Sequence, residues 1–223
     1  MNTAISQACF LGSCGGSAEK TGSRIGGPVV LPAAIQHPCD RSGKPLVLVA
    51  QVNFSDLQES DLSRPAKGLF LLFWNSAQDS SNPKDRHAFR CVWIANPDES
   101  ELTESNFPHA SINAAGIGLS FQAGLSLPQC TSDLQLFGLA GENLDQLQEM
   151  AAFAGNGVSW SPARRVDSCF SHLVDASRDW RLFARIRSNP SAGLDSGARC
   201  LYLLIRDEDL KSQNYDKCWL LVG

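Results

Sequence analysis

No apolar run in these 223 residues approaches the ~20 needed for a membrane-spanning helix, so a membrane protein of that kind is not expected. A basic excess is also missing. The net charge is −4, whereas nucleic-acid-binding domains concentrate Lys and Arg on one face, so nucleic acid is not an expected partner. Cys-x-x-Cys is absent too. The eight cysteines (Cys9, Cys14, Cys39, Cys91, Cys130, Cys169, Cys200 and Cys218) are scattered, and several sit inside apolar runs such as Arg90-Cys91-Val92-Trp93. A free cysteine packs as a small hydrophobe, and disulfide frameworks belong mainly to short secreted chains. The expected compartment is therefore reducing and cytoplasmic. Leu11-Gly12-Ser13-Cys14 has the outline of a lipoprotein cleavage box, but no basic residue precedes Lys20 and polar residues interrupt the apolar positions. No lipid attachment is expected at Cys14.

Recognisable catalytic motifs are lacking as well. There is no Gly-x-Ser-x-Gly elbow, no phosphate-cradling Gly-x-x-x-x-Gly-Lys-Ser/Thr loop and no His-Glu-x-x-His. Gly22, Gly26 and Gly27 are not followed by the lysine and helix of a phosphate site. The local pairs are His37 with Cys39 and Asp40, and His87 with Cys91; on a strand His37 and Cys39 would share a face, as would His87 and Cys91, so a four-ligand set is geometrically conceivable. Their spacing matches no zinc module. The sequence thus predicts no catalytic residue, no metal and no cofactor.

What is present is a globular composition, 43% hydrophobic and 19% charged, too apolar for disorder. One domain over 1–223 is expected, with 1–22 a loose, glycine-containing lead-in. From Pro45, the residues Leu46, Leu48, Ala50, Val52 and Phe54 alternate with Val47, Val49, Gln51 and Asn53. This predicts a strand with one apolar face and one that turns polar. Leu69–Trp74 is apolar on both faces and reads as a central buried strand. Further strands are expected over 88–95, 117–123 and 218–222. A short helix is expected from Thr131 or Ser132 to Phe137, another helix over Glu142–Ala154, and a turn or short helix from Asp207. The strand–loop–strand pattern of about 45–75 returns at about 180–206: Leu48–Asn53 matches Leu182–Arg187, and Gly68–Trp74 matches Cys200–Arg206. The fold class is therefore α+β: a strand-dominated single domain with an internal pseudo-duplication and one or two helices.

Several motifs in this order resemble the YwqG-like family of bacterial proteins. They are Ser23-Arg24-Ile25-Gly26-Gly27-Pro28 with Leu31-Pro32, Pro45–Asn53, Gly68–Phe73, Leu125–Pro128, Trp180–Ser188, and Leu194–Gly197 with Cys200–Ile205. The family usually shows a tryptophan where His37-Pro38 stands and a glutamine where Arg185 stands. The resemblance implies a compact, internally duplicated α+β fold. It also implies a genomic habit in which some members lie beside secreted antibacterial toxins, such as those of type VI secretion, and it carries over no agreed enzymatic activity.

Two charged groups stand out. Arg164, Arg165, Arg178, Arg181, Arg185 and Arg187 form the only basic cluster: Trp180, Leu182, Ala184 and Ile186 are expected on one face of a strand, with Arg181, Phe183, Arg185 and Arg187 on the other. Asp98, Glu99, Glu101 and Glu104 form an acidic run, which raises association rate and specificity toward a basic partner. The expected function is a non-enzymatic immunity protein that binds a cognate toxin, such as a nuclease, through Asp98, Glu99, Glu101 and Glu104. The alternative is an enzyme or small-ligand protein whose site, between the two copies, gathers Arg24, His37, Gln51, Arg185 and Asp195. The oligomeric state is left open.

Overall fold

Alternating apolar residues need two covered faces, and the fold supplies them by rolling a long antiparallel sheet over itself. The structure, a computed structural model, describes residues 7–14, 19–57, 67–76, 87–108, 110–126, 158–165, 180–188, 190, 193–194 and 200–223. The strands are β1 Gln7–Cys14, β2 Arg24–Ile25, β3 Val30–Pro32, β4 Val47–Asn53, β5 Leu69–Trp74 and β6 Phe89–Ile94. They continue with β7 Leu102–Glu104, β8 Ile117–Ser126, β9 Val158–Arg165, β10 Trp180–Arg187, β11 Cys200–Arg206 and β12 Trp219–Val222. Ten of them form one sheet in the order β12-β11-β10-β9-β1-β8-β2-β4-β5-β6, and β3 pairs with β7 separately. A short helix, Asp207–Lys211, follows β11, as the turn-or-helix expectation anticipated. The fold is thus strand-dominated with few helices among the described residues. The helices expected over 131–137 and 142–154 lie outside those residues.

β5 has the two-sided burial expected of it. Phe70, Leu72 and Trp74 enter the larger core, while Leu69, Leu71 and Phe73 enter a second core beneath β3 and β7. The larger core takes residues from both ends of the sheet. Phe70 of β5 and Phe183 of β10 have ring centroids 5.5 Å apart, although five strands separate β5 from β10 in the sheet order. The sheet must therefore fold over for these rings to meet. Tyr215, in a 3-10 turn before β12, stacks on Phe183 at 5.2 Å and meets Trp93 of β6 at 4.7 Å.

Two expectations are corrected. The supposed loose lead-in contains β1, which sits mid-sheet between β8 and β9, with Cys14 opposite Leu119. And Phe183 does not share an exposed face with Arg181, Arg185 and Arg187. The register of β10 against β11 shifts between Leu182 and Ala184, and this bulge puts Leu182, Phe183 and Ala184 all inside. β4 shifts against β5 in the same way between Leu48 and Ala50, so Val49 and Ala50 both enter the larger core.

Candidate functional site

The Ser23–Pro28 motif folds around a buried arginine. Arg24 is 1% exposed and has no carboxylate partner among the described residues. Its Nη1 donates to the carbonyls of Glu19 (2.9 Å), Lys20 (2.7 Å) and Gly22 (3.3 Å), and its Nη2 donates to Pro28 O (2.9 Å). Four carbonyl dipoles thus replace the water around the guanidinium. Burial pulls its pKa down to about 10, which leaves it charged at neutral pH. The fit is tight: a Cβ on Gly27, whose φ is +90°, would lie 2.7 Å from Arg24 Cδ. Gln51 faces Arg24 across the β2–β4 pair and is fully buried. Its Nε2 donates to the carbonyls of Lys20 (3.2 Å) and Gly22 (2.9 Å).

This knot fixes the loop 19–23, and the loop in turn holds the acidic segment. Lys20 Nζ donates to Glu99 O at 3.1 Å and to Leu102 O at 2.6 Å, while Thr21 Oγ1 donates to Glu99 Oε1 at 2.5 Å. Asp98 Oδ1 accepts from Ser100 N (2.9 Å) and Ser100 Oγ (2.7 Å), and these donors, the hydroxyl foremost, hold its carboxyl below the usual range. Asp98, Glu99, Glu101 and Glu104 are all exposed. Beside them opens a cleft of about 520 Å³. Thr21, Asn53, Ser55 and Lys67 line it together with the turn 96–99, whose Asp98 and Glu99 contribute carboxylates.

Of the residues expected between the two copies, Arg24 and Gln51 are brought together, but inside the protein and not around an open pocket. His37 lies apart from them. Its Nε2 donates to Leu46 O at 2.8 Å, which leaves Nδ1 to accept from Ser105 Oγ at 3.1 Å, and its ring packs edge-on between Phe73 and Phe107. Arg185 is half-buried on β10, and Asp195 lies outside the described residues. The metal candidates do not converge. Cys39 Sγ donates to the His37 carbonyl, Asp40 Oδ1 accepts from Ser42 and Lys44 in a turn, and Cys91 is buried while His87 is exposed. Among the described residues no three His, Cys, Asp or Glu side chains could hold a metal. The arginine row is divided too: Arg181 makes a bidentate pair with Asp207, at 2.5 and 2.7 Å. Sequence reasoning missed Lys20, Thr21, Asn53, Ser55 and Lys67. The Ser-Arg-Ile-Gly-Gly-Pro string was the available signal for the knot beneath them.

Residues 23–222, beginning at the knot and ending in β12, match the family described as Domain of unknown function (DUF1963). The chain belongs to this family. No curated protein matches it. The matched region contains Arg24, both cores and the acidic segment, while Glu19, Lys20, Thr21 and Gly22, which complete the knot and the cleft, precede it. No helix among the described residues is long and apolar enough to cross a membrane.

Proposed function

We propose that this chain, a YwqG-like member of its family, is a non-enzymatic immunity protein that binds a secreted antibacterial toxin with a basic surface, such as a nuclease, in the cytoplasm. The observation that carries the proposal is the acidic segment 98–104. Its four carboxylates are exposed, yet its backbone is tied to Lys20 and the Glu99 carboxylate to Thr21. Charges fixed before encounter steer a basic partner without a further ordering cost. Blocking a toxin needs only a stable surface of about 800 Å² per partner. We further propose that the fold is an internal duplication, supported by the matching bulges of β4 at Leu48/Ala50 and β10 at Leu182/Ala184.

The test is survival of cells carrying this gene when challenged with a secreted toxin whose catalytic domain is basic, compared with the variant D98N/E99Q/E101Q/E104Q. Protection by the wild type and weaker protection by the folded variant is the expected result. Equal killing with and without the gene would overturn the proposal.

A further inference from the structure

The cleft beside the acidic segment holds charges of both signs that do not neutralise one another. Lys67, Asp98 and Glu99 all line it, and the three side chains are exposed. Among the described residues no ion pair joins Lys67 to either carboxylate. Flexible side chains of opposite charge ordinarily drift together on a surface, for a small gain. Here the carboxylates are restrained, and so is the backbone that leads out of Lys67. Asp98 is held by Ser100 and Glu99 by Thr21. Lys67 immediately precedes Gly68, whose φ of +145° and close approach to the Trp93 indole fix the start of β5.

Asp98 Oδ1 and Glu99 Oε1 are engaged, which leaves the second oxygen of each carboxylate to accept. The amide of Asn96 and the hydroxyl of Ser55 add neutral donors and acceptors. Asn53 Oδ1 already accepts from Ser55 N at 3.0 Å, which turns its amide nitrogen into the remaining donor. Among the described residues Pro97 is the only apolar side chain that lines the cleft. The cleft's volume falls within the roughly 300–1,000 Å³ range of small-molecule sites.

We propose that this cleft binds a small zwitterion of the amino-acid or short-peptide class. The ligand's ammonium group meets the free oxygens of Asp98 and Glu99, and its carboxylate meets Lys67 and the Asn53 amide. Only a molecule with both charges satisfies both sets at once; an isolated anion is repelled by the carboxylates and an isolated cation by Lys67. Because the groups are exposed and solvent-screened, binding is weak, with a dissociation constant on the order of millimolar. The cleft would serve as such a site whether or not the chain neutralises a toxin.

The test is a titration of the full, isotope-labelled chain with glycylglycine, following backbone amide resonances. Sodium acetate and methylammonium chloride at matched ionic strength serve as single-charge controls. The expected result is a saturable shift of Thr21, Ser55, Lys67 and residues 98–100 with glycylglycine alone. K67M and D98N should each weaken it by about tenfold while leaving distant resonances in place. Absence of a saturable shift at tens of millimolar, equal shifts with acetate or methylammonium, or unchanged affinity in both variants would each overturn the proposal.

Discussion

Arg24 shows how one side chain can organise a loop. Its guanidinium supplies donors to four carbonyls from Glu19 to Pro28, so R24M removes four charge-assisted hydrogen bonds, of which Gln51 Nε2 still covers the acceptors at Lys20 and Gly22. Each such loss costs about 1–3 kcal/mol, and the variant is expected to lose roughly 3 kcal/mol or more in urea denaturation. R24K keeps the charge but loses the planar fork, and is expected to fall between the two. A smaller loss for R24M than for R24K would contradict the account. His37 gives a pH prediction. Burial lowers its pKa from the ordinary 6.5, against the opposing effect of its bond to Leu46, so the folded state binds fewer protons than the unfolded one just below that value. Stability should therefore fall as pH drops below about 6.5 and level off once pH is under the lowered folded value. Subtracting the pH profile of H37N from that of the wild type isolates this component from Asp40 and Asp98, whose lowered carboxyls act only below the usual carboxylate range. Periodicity alone does not mark Arg24 as structural. In alternation it is one polar residue beside Ile25, and the carbonyls that solvate it are brought round only by the turn at Gly26 and Gly27.

At the level of elements, periodicity is legible where the ladder is regular and fails where it shifts. Leu69–Trp74, apolar on both faces, was read correctly because both faces of β5 are covered. Phe183 was placed on the wrong face because a period-two count cannot register the extra residue of a bulge. The structure puts that ring between Phe70 and Tyr215, and F183A is expected to cost about 3–5 kcal/mol. It should also change the fluorescence of Trp93, which touches Tyr215 from the far end of the sheet. An unchanged Trp93 signal would mean that the two ends are not mechanically joined. Gly68 is a second element-level constraint. Its backbone angle disfavours any side chain and a Cβ would overlap Trp93, so G68A is expected to lose roughly 2 kcal/mol or more. The double variant G68A/W93A should be less damaging than the sum of its parts in a thermodynamic cycle.

For the molecule as a whole, one core spans β4–β6 and β10–β12, so the two ends should unfold together. Calorimetry should give a single transition with matching calorimetric and van't Hoff enthalpies. Two resolved transitions would show the ends to be independent. The acidic run was legible as charge, because charge is a property of residue type. The cleft was not, because Thr21, Asn53, Lys67 and Asp98 are adjacent only after β2, β4 and β5 have paired. The mid-sheet place of β1 was equally hidden: Gln7–Cys14 contains small residues and a glycine and shows no clean alternation, so its strand conformation is set by β8 and β9 on either side. That placement bears on how the chain is made. Gln7–Cys14 leaves the ribosome long before Ile117–Ser126 and Val158–Arg165, the two strands that must flank it, and so spends most of its synthesis with neither edge covered. The seam joining the two ends of the sheet closes only late in translation, which leaves the nascent chain most vulnerable to mispairing just before β9 emerges.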